Sequence, residues 1–355
     1  MNKHMSERAL VIGGAGFIGR HLVPLLAQLH KDVLIADNLH PQIHDKGCPE
    51  WLAPYSFAGC DIRDVDSLLA VFRWFRPTIV FALAAETGTG QSLDAPASHC
   101  STNVTGLANV LECITKSASP VKRVVLPSSR AVYGEGAWTD HAGEIFYPTA
   151  RTRQDLERGA WSPWIQEPGD ARPVPHLASA HWPRPVNVYG ATKLAQEQVL
   201  TTWALGHGVE PSILRLQNVY GPGQAAGNPY TGVLVHFVSE ARAGRQIPVY
   251  EDGNIVRDFV HVSDVARALA DSAALPRGTG VLDIGSGTGT SIFELAGAVA
   301  AAAGGPPPKV TGQYRVGDVR AASADVGRAR QVMGFETRMG LREGLIDLLS
   351  SSGMS

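Results

Sequence analysis

The sequence predicts an α/β fold in which a doubly wound parallel sheet is covered by helices on both faces. Three observations lead to this prediction. The first half of the chain alternates short apolar runs with amphipathic segments, a glycine-rich loop follows the first run, and the composition is globular. With 44% hydrophobic and 18% charged residues, 355 residues can bury a large core. At ~150 residues per domain, the length suggests two domains.

The strands and helices of the first half are predicted from the apolar pattern. Short runs rich in Val, Ile or Leu and bounded by turn residues are typical of buried strands: Ala9–Ile12, Val33–Ala36, Ile79–Leu83 and Val124–Leu126. The segments between them have helical amphipathic patterns: Ile18–Leu29, Ser67–Phe75 and Asn103–Ser117. Because strands alternate with helices, we expect neighbouring strands to run parallel.

The segment Gly134–Pro185 interrupts this alternation. It holds seven of the 23 prolines and four of the seven tryptophans, and it has no long periodic run. We therefore expect an irregular insertion, ordered by aromatic packing rather than by a core of its own, that forms a lid over a ligand or a contact between subunits. Periodicity returns at Val188, and Pro306–Pro308 is predicted to link a helix to a strand.

Charge and composition exclude several classes of protein. The 31 Lys and Arg residues nearly balance the 33 Asp and Glu residues, and no basic block is present, so we expect no nucleic-acid binding. No apolar run is long enough to predict a membrane span. The segment Met1–Arg8 lacks the features of a signal peptide, and the four cysteines lack paired spacing. We therefore expect a cytoplasmic protein with reduced thiols.

The loop after the first predicted strand has the features of a dinucleotide-binding turn. Gly13, Gly16 and Gly19 follow the first apolar run and open a helical pattern that includes Phe17 and Ile18. Glycines let the backbone approach a pyrophosphate, and a helix N-terminus offers free N–H groups and the positive end of its dipole. The sequence therefore predicts a dinucleotide site of the Rossmann type.

The acidic residues after the second and third apolar segments bear on the choice of cofactor. Asp37 lies about 20 residues after the glycine loop, where a carboxylate accepts hydrogen bonds from the adenosine ribose. A carboxylate there repels a 2′-phosphate, so NAD is predicted in preference to NADP. Asn38 follows it. The cluster Asp61-Ile62-Arg63-Asp64 has two open interpretations: it brackets the adenine, or it caps a helix.

Two polar patterns in the middle of the chain predict acid–base chemistry. Tyr189 and Lys193 lie four positions apart at the start of an amphipathic helix that runs to about Gly206, so their side chains share a face. A nearby ammonium favours the phenolate and lets a tyrosine act as a base below its ordinary pKa of ~10. Ser128 and Ser129 end a predicted strand, where ligands bind in such sheets. We expect Ser129 to share a substrate hydroxyl with Tyr189.

Together, these features resemble the extended short-chain dehydrogenase/reductase family, the group of NAD-dependent nucleotide-sugar epimerases and dehydratases. The resemblance runs from about Ala9 to Leu348. It rests on the glycine spacing, the strand-end serines and the Tyr/Lys pair in this order. It implies that Ser129, Tyr189 and Lys193 are the catalytic residues and that the cofactor is NAD.

The resemblance also implies a domain organisation. A Rossmann domain is expected from residues 9–215 and about 258–283, with the insertion at 134–185. A smaller C-terminal α/β domain, made of residues 216–257 and 284–348, is expected to bind the nucleotide sugar and to close over it. A homodimer is expected through the helices that begin near Asn103 and Tyr189.

The resemblance assigns further residues to the two ligands. The residues expected at the cofactor are Gly13, Gly16, Phe17, Ile18, Asp37, Asn38, Asp61, Ile62, Leu83, Ala84, Ala85, Ser128, Tyr189 and Lys193. The residues expected at the substrate are Thr87, Gln91, Ser129, Asn218, Arg257 and Arg320. In this assignment Leu83-Ala84-Ala85 lies beneath the nicotinamide, Asn218 touches the diphosphate, and the two arginines hold phosphates, whose geometry a guanidinium matches.

The residues after Ser129 separate the reactions within the family. Dehydratases carry an Asp-Glu pair there, whereas this chain has Arg130 and Ala131, which cannot do that acid–base work. Asp37 argues against a reductase that takes NADPH from solution. A 4-epimerase with bound NAD is therefore predicted, with a 4-ketoreductase as the alternative. A non-catalytic NAD-binding protein on the same fold is a third hypothesis.

Finer motifs resemble the dTDP-L-rhamnose 4-epimerase branch of the family, which implies a dTDP-6-deoxyhexose substrate. They are the loop Ala85–Ser92, the string Ser128–Gly136, Gln217 and the segment Asn228–Gly232. Some relatives in that branch have cysteine pairs in the insertion, but this chain has no cysteine beyond Cys113. Its insertion histidines, His141, His176 and His181, lack ligand spacing, so no metal site is predicted.

Overall fold

The computed structural model describes residues 7–29, 32–162, 171–224 and 232–351. The strands of this part, in chain order, are β1 (Arg8–Ile12), β2 (Asp32–Asp37), β3 (Ser56–Gly59), β4 (Ile79–Ala82), β5 (Arg123–Ser129), β6 (Trp138–Thr139), β7 (Ile145–Phe146), β8 (Arg172–Pro173), β9 (Glu210–Leu216), β10 (Asn218–Tyr220), β11 (Pro248–Val249), β12 (Val256–His261), β13 (Val281–Ile284), β14 (Gly289–Ser291), β15 (Lys309–Val310) and β16 (Ala321–Ala322).

The α-helices are α1 (Phe17–Gln28), α2 (Val65–Phe75), α3 (Thr89–Asp94), α4 (Pro96–His99), α5 (Gly106–Ser117), α6 (Arg153–Glu157), α7 (Val188–His207), α8 (Val233–Arg242), α9 (Val262–Asp271), α10 (Ile292–Ala303), α11 (Gly327–Met333) and α12 (Leu341–Ser350). Short 3₁₀ turns cover Glu50–Leu52, Arg130–Tyr133 and Ser272–Ala274, and a π-helical turn covers Cys100–Thr105.

The predicted parallel sheet is confirmed, and it has seven strands in the order β13-β9-β5-β4-β1-β2-β3. The chain starts at β1, moves to one side for β2 and β3, and then to the other side from β4 onward. Ligands bind at the carboxyl ends of the strands where the strand order reverses in this way. This topology therefore predicts a ligand site beside the loops that follow β1, β4 and β5.

The two faces of this sheet bury two separate sets of apolar side chains. Along β1, Ala9 and Val11 join one core with α1 and α9, whereas Leu10 and Ile12 join another with α2 and α5. Successive strand residues point to opposite faces, so a sheet that is apolar at every position must be covered on both sides. This packing is the doubly wound arrangement that the continuous apolar runs predict.

A second, smaller sheet holds β10, β12, β14 and β16. β12 is its centre, because it pairs in parallel with β10 and β16 and antiparallel with β14. Helices α8, α10 and α12 pack around this domain through a core that includes Phe237, Leu295 and Leu348. This is the smaller C-terminal α/β domain that was predicted.

One predicted domain boundary needs correction. The chain was predicted to re-enter the Rossmann domain at about residue 258. In the structure the whole of β12 belongs to the second sheet. The return comes at Val262, where α9 begins and packs against α1, and β13 then adds to the edge of the large sheet beside β9. The sequence of the segment Phe259–Val262 does not show which sheet it joins, because buried strands of both sheets are rich in the same apolar residues.

The insertion is more regular than predicted, and charged residues order much of it. Strands β6, β7 and β8 form a small antiparallel sheet, and Thr152 caps α6. Trp138 is buried, but Trp182 is 77% exposed. The insertion also contains the buried side chain of Arg151, which forms ion pairs with Glu135 and Glu251. Residues 163–170 of the insertion lie outside the described residues.

The proline linker lies where it was predicted, and one predicted helix starts later than expected. Pro306–Pro308 does lie between a helix, α10, and a strand, β15, as predicted. The predicted helix from Asn103 begins as α5 at Gly106, because a π-helical turn precedes it. Within the described ranges, none of the helices combines the length and apolar character needed to cross a bilayer.

Candidate active site

The turn between β1 and α1 is so tightly packed that two of its positions have no space for a side chain. Gly13 has φ +74°, and a Cβ there would lie 2.4 Å from the backbone nitrogen of Ala84. A Cβ on Gly19 would lie 2.2 Å from the carbonyl oxygen of Gly14. Both positions therefore require glycine, and the turn can approach a ligand only with its backbone.

The N-terminus of α1 is open to an anion. Its N-cap residue, Gly16, has an extended backbone and provides no side-chain hydrogen bond to the helix. The first turn, which includes Phe17 and Ile18, carries no acidic residue. The orphan N–H groups of such a helix end carry partial positive charge. This geometry fits the pyrophosphate of a dinucleotide.

Asp37 is held at the end of β2 by two backbone donors. The N–H of Ala15 donates to Oδ2 at 3.0 Å, and the N–H of Leu39 donates to Oδ1 at 2.8 Å. The residue is 8% exposed. The glycine turn thus orients the carboxylate directly, which is consistent with its predicted contact with a ribose.

Both interpretations of the Asp61–Asp64 cluster keep some support. Asp64 is the N-cap of α2 and accepts from the N–H of Ser67, so the helix-cap interpretation is confirmed for that residue. Asp61 instead pairs with Arg63 and accepts from Asn38, and the Arg63 hydrogen bonds hold the pKa of Asp61 well below its usual range. Asn38 and Asp61 therefore form a polar rim beside Asp37, while Ile62 is buried.

The loop after β4 is held in place by hydrogen bonds to β1 and to the side chain of Asn103. The N–H groups of Leu83 and Ala84 both donate to the carbonyl oxygen of Ile12, at 2.8 and 2.9 Å. The fully buried side chain of Asn103 accepts from the N–H of Glu86 and donates to that residue's carbonyl and to the Thr192 hydroxyl. Asn103 thus ties this loop to α7, a role that the sequence analysis did not assign.

Tyr189 and Ser129 come together because α7 starts against the turn that follows β5. A Cβ on Gly190 would lie 2.5 Å from the carbonyl oxygen of Ala131, so only glycine permits this approach. Ser129 caps the 3₁₀ turn and accepts from the N–H of Ala131 at 3.1 Å. Burial raises the pKa of Tyr189, while a hydrogen bond with Ser129 and the charge of Arg130 lower it. The start of α7, with Tyr189, thus packs directly against the turn that Ser129 caps.

Lys193, predicted to act together with Tyr189, forms its hydrogen bond within α7 in this structure. Its Nζ donates to Oε1 of Gln196 at 2.5 Å, and Gln196 donates in turn to the carbonyl of Asn103. Burial lowers the pKa of Lys193 to about 8, and the charge of Glu197 opposes that shift. In this structure the ammonium of Lys193 is therefore held by Gln196.

A buried polar cluster behind the catalytic helix was missed by the sequence analysis. Glu197 pairs with Arg215 at 2.7 Å and accepts from the Ser128 hydroxyl at 2.5 Å. The Arg215 guanidinium lies 4.7 Å from the centre of the Tyr133 ring, and the Tyr133 hydroxyl donates to Asp283. Glu197 lies four residues after Lys193, and that spacing was a signal that could have found it.

Arg130 is a second site residue that the sequence analysis left without a role. Its Nε donates to Oδ1 of Asn218 at 2.7 Å. Burial, together with the nearby charge of Arg257, lowers the pKa of Arg130 to about 9. Within the residues that the structure describes, no carboxylate lies within ion-pair distance of it.

Arg257 and Arg320, predicted to hold phosphates, are both engaged by carboxylates of the chain. Arg257 pairs with Asp318 at 2.5 Å and also donates to the carbonyls of Val256 and Val319. Arg320 reaches both carboxylate oxygens of Asp252 at 2.7 Å. A phosphate would have to compete with these partners.

The remaining predicted residues lie at the edge of the site. Thr87 is exposed in the loop before α3, and the amide of Gln91 faces that of Gln42 at 3.3 Å. In the described part of the chain, no three His, Cys, Asp or Glu side chains gather as metal ligands. His176 is instead stacked on Tyr133 at 4.2 Å, and His181 accepts from the N–H of Leu177.

Comparison with known sequences finds relatives over most of the chain. The profile of the NAD dependent epimerase/dehydratase family matches residues 9–152 and 166–283. A dTDP-L-rhamnose 4-epimerase of Burkholderia thailandensis is 44% identical over 345 residues, which are 96% of this chain and 94% of that protein. A UDP-glucose 4-epimerase of Mycolicibacterium smegmatis is 32% identical over 95% of this chain and 96% of that protein.

Solved structures with the same architecture include two epimerases. The UDP-glucose 4-epimerase of Thermotoga maritima, solved with UDP-glucose, superposes with a TM-score of 0.79 at 29% identity, over 96% of this chain and 97% of that one. The UDP-glucose 4-epimerase of Thermus thermophilus, solved in complex with NAD, gives a TM-score of 0.77 at 28% identity, over 96% and 97% of the two chains. The similarity thus extends across both domains.

Proposed function

The chain belongs to the NAD-dependent epimerase/dehydratase family, and from this premise we propose that it is a nucleotide-sugar 4-epimerase that acts on a dTDP-6-deoxyhexose. The observation that carries the proposal is the packing of the start of α7, with Tyr189, against the turn that Ser129 caps at the carboxyl end of β5. That turn begins with Arg130 and Ala131 rather than with two acids. This arrangement can move a proton at a sugar hydroxyl but has no pair of carboxyl groups for a dehydration.

NAD is the cofactor, and the chain's own geometry fits it. The crowded backbone of the glycine turn and the uncapped N-terminus of α1 suit its pyrophosphate. The buried carboxylate of Asp37 suits a ribose with free hydroxyls and repels a 2′-phosphate. When bound, NAD supplies a hydride acceptor that can give the same hydride back, so the reaction needs no external reductant.

The protein's part in the reaction is to hold and move one proton. Tyr189, as the phenolate, takes the O4 proton while the C4 hydrogen leaves with its electron pair, and a 4-keto sugar results. Ser129 holds the same oxygen through its hydroxyl. After the sugar turns over, the C4 hydrogen returns to the other face and Tyr189 gives the proton back to O4. Atoms and electrons balance over the cycle.

The sugar must turn while its diphosphate stays bound, so anchoring residues are needed. Asn218 is well placed, because its amide oxygen faces Arg130 and its nitrogen forms no hydrogen bond within the described residues. A guanidinium only donates, so the amide oxygen must face it and the NH₂ group remains for an anion. We include Arg257 and Arg320 as phosphate ligands, Thr87 and Gln91 as sugar contacts, and Leu83-Ala84-Ala85 as the nicotinamide floor.

The finer parts of the proposal concern the base, the assembly and the compartment. The dTDP-6-deoxyhexose is supported by the 44% identity to the Burkholderia thailandensis protein. A homodimer through α5 and α7 is supported by the family resemblance. A cytoplasmic location is supported by the four cysteines, Cys48, Cys60, Cys100 and Cys113, which are all free.

The test is incubation of the purified protein with dTDP-L-rhamnose in D₂O without added reductant. We expect the 4-epimer, with no deuterium at C4, because the hydrogen that leaves is the one that returns. NMR of the product sugar reports both, and mass analysis of the ligand released on denaturation should show NAD. An absolute need for NADPH, with stoichiometric consumption on a 4-keto sugar, would instead select the ketoreductase.

UDP-glucose is the matched control substrate. A 6-deoxyhexose enzyme should turn it over far more slowly than dTDP-L-rhamnose at the same concentration. Equal rates would overturn the proposed substrate class while leaving the 4-epimerase assignment intact. Light scattering of the same preparation gives the mass of the assembly and tests the homodimer.

A further inference from the structure

Gln196 bridges the ammonium of Lys193 and the backbone of the π-helical turn that precedes α5. Its Oε1 accepts from Nζ of Lys193 at 2.5 Å, and its Nε2 donates to the carbonyl oxygen of Asn103 at 2.7 Å. All three residues are buried, with at most 3% of each exposed. Asn103 and Gln196 are 93 residues apart in the chain, so the bridge is a tertiary contact.

The orientation of the Gln196 amide follows from the chemistry of its two partners. A backbone carbonyl can only accept a hydrogen bond, and an ammonium can only donate. The NH₂ group must therefore face Asn103, and the amide oxygen must face Lys193. A carboxylate could serve only the ammonium, and an apolar side chain could serve neither partner. The bridge thus needs a side chain that both accepts and donates.

The carboxylate beside Gln196 on α7 is engaged elsewhere. Glu197 pairs with Arg215 at 2.7 Å and accepts from the Ser128 hydroxyl at 2.5 Å. Within the described residues, the hydrogen bond that the ammonium of Lys193 donates goes to Gln196. An ammonium has three donors, so two remain for bound NAD and for the phenol of Tyr189.

The far end of the bridge is anchored to the loop that follows β4. The side chain of Asn103 accepts from the N–H of Glu86 and donates to the carbonyl of the same residue. It also donates to the hydroxyl of Thr192, which directly precedes Lys193. Buried and connected hydrogen bonds of this kind hold their members rigidly. The ammonium therefore has a defined position relative to the loop that is proposed to lie beneath the nicotinamide.

We propose that Gln196 is a positioning residue that holds the ammonium of Lys193 on the helix face it shares with Tyr189. The inference rests on the proposed function, in which Tyr189 exchanges a proton with the sugar. Lys193 remains the cation at the phenol, and Gln196 acts through it. A lysine side chain is a flexible four-carbon stem, and a displacement of about 1 Å near a reacting centre costs up to about 100-fold in rate.

Loss of the bridge should lower kcat much more than it raises KM. Gln196→Met keeps the length of the side chain but leaves the ammonium without its acceptor and the Asn103 carbonyl without its donor. The residues proposed to hold the diphosphate belong to the smaller domain, so substrate binding should be little affected. We expect kcat for dTDP-L-rhamnose to fall about 10- to 100-fold and KM to stay within about twofold.

Two further variants test the bridge itself. Gln198→Met is the matched control, because it makes the same change at an exposed position of the same helix, and it should leave kcat and KM unchanged. In Gln196→Glu the carboxylate still accepts from Lys193 but has no N–H for the Asn103 carbonyl, so kcat should fall here too. Full kcat in Gln196→Glu would show that an acceptor alone is sufficient and would overturn the bridge.

A double-mutant cycle with Lys193→Met shows whether Gln196 acts through the lysine. In the Lys193→Met background, Gln196→Met should lower kcat by no more than about twofold further, because the group that it positions is already absent. A merely structural role would lower kcat by the same factor in both backgrounds. That result would overturn the proposal, and so would an unchanged kcat in Gln196→Met. The content of bound NAD confirms that each variant is folded.

Thermal melting of the four proteins of this cycle gives a readout that needs no turnover. Gln196→Met should lower the melting temperature of the otherwise unchanged protein by about 3–6 °C, because a buried ammonium loses its acceptor. In the Lys193→Met background the same substitution should lower it by less than half as much. Equal losses in the two backgrounds would overturn the proposal.

The melting cycle also separates this proposal from the proposed function. If the unchanged protein fails to epimerise dTDP-L-rhamnose but the melting cycle shows the coupling, the proposed substrate fails and the hold of Gln196 on Lys193 stands. If epimerisation is found and Gln196→Met changes neither kcat nor the melting temperature, only the role of Gln196 fails.

Discussion

The phenol of Tyr189 depends on neighbours that its own helix does not supply. Ser129 and Arg130 both come from the end of β5 and act against the burial that raises the phenol's pKa. The i,i+4 relation between Tyr189 and Lys193 shows that both lie on one helix face, but it does not show which partner the ammonium chooses. The chemistry of the site is therefore a property of two elements in contact.

Lys193 destabilises the folded chain at neutral pH, and Lys193→Met should reveal it. Burial lowers the pKa of Lys193 from 10.5 to about 8, so the unfolded state binds more protons between these values and stability rises with pH across that window. At pH 7 the full penalty is present. Removal of the ammonium should stabilise the cofactor-free protein by roughly 1–3 kcal/mol at pH 7, while kcat falls.

Urea unfolding of both proteins at pH 7 and at pH 10 measures this effect. The advantage of Lys193→Met should shrink at the higher pH, because the lysine of the unchanged protein is then neutral in the folded state. A variant less stable than the unchanged protein at both pH values would show that the hydrogen bond to Gln196 outweighs the cost of burial.

Asp37 should set the preference for NAD. In Asp37→Asn the side chain keeps its shape but loses its negative charge. The hydrogen bond from a ribose hydroxyl becomes weaker, and a 2′-phosphate is no longer repelled. NAD affinity should fall about 10- to 100-fold, and affinity for NADP should fall less or rise. Calorimetric titration of both nucleotides measures this. Asp61→Asn is the control, and its NAD affinity should change little. A loss as large as that of Asp37→Asn would instead indicate that Asp61 contacts the adenine.

At the level of elements, the join between α7 and the turn after β5 determines whether the catalytic side chains meet. Two glycines of α7 differ sharply in surroundings. A Cβ on Gly190 would lie 2.5 Å from the carbonyl oxygen of Ala131, whereas a Cβ on Gly206 would meet nothing within 4 Å. Alanine is the better helix former at both positions, so only the packing differs.

The pair Gly190→Ala and Gly206→Ala should therefore respond in opposite ways. Gly206→Ala should stabilise the protein by up to about 1 kcal/mol and leave kcat unchanged. Gly190→Ala should lower the melting temperature and also kcat, because α7 must move away from Ser129. Melting curves and steady-state kinetics of the two variants provide the measurement. A fully active Gly190→Ala would mean that the two elements need not be in close contact.

On the scale of the whole molecule, buried charges join the insertion to the C-terminal domain. Arg151 pairs with Glu135 of the insertion and with Glu251, which follows β11, and it donates to the carbonyl of Asp318. Glu251 also pairs with Arg320. The insertion is thus joined by buried ion pairs to the domain that is proposed to hold the nucleotide.

Removal of one member of this network should be costly. The side chain of Arg151 is 2% exposed. Arg151→Met leaves the buried Glu135 without its ion-pair partner and Glu251 with Arg320 alone, and it should lower the free energy of unfolding by about 3–5 kcal/mol. Arg245→Met breaks an ion pair with Glu240 in which the arginine is 58% exposed, and should cost at most about 1 kcal/mol. Urea denaturation compares the two, and equal losses would show that the buried network adds nothing special.

The sequence by itself determined what depends on neighbours within one element or one loop. Strand–helix alternation, the glycine turn, Asp37 at the end of a strand, and the serine and tyrosine of the site all follow from local periodicity and spacing. These patterns are readable because a strand or helix repeats every few residues, whatever the rest of the chain does.

Only the tertiary structure decided the partners of the buried charges and the sheet to which β12 belongs. Arg130 meets Asn218, Arg151 meets Glu251, and Asp283 meets Tyr133, each across many tens of residues. No periodicity links such positions, because the energy of a buried charge depends on whatever the fold brings beside it. For the same reason the hydrogen bond of Lys193 to Gln196 is set by the packing around α7 and not by the spacing of the motif.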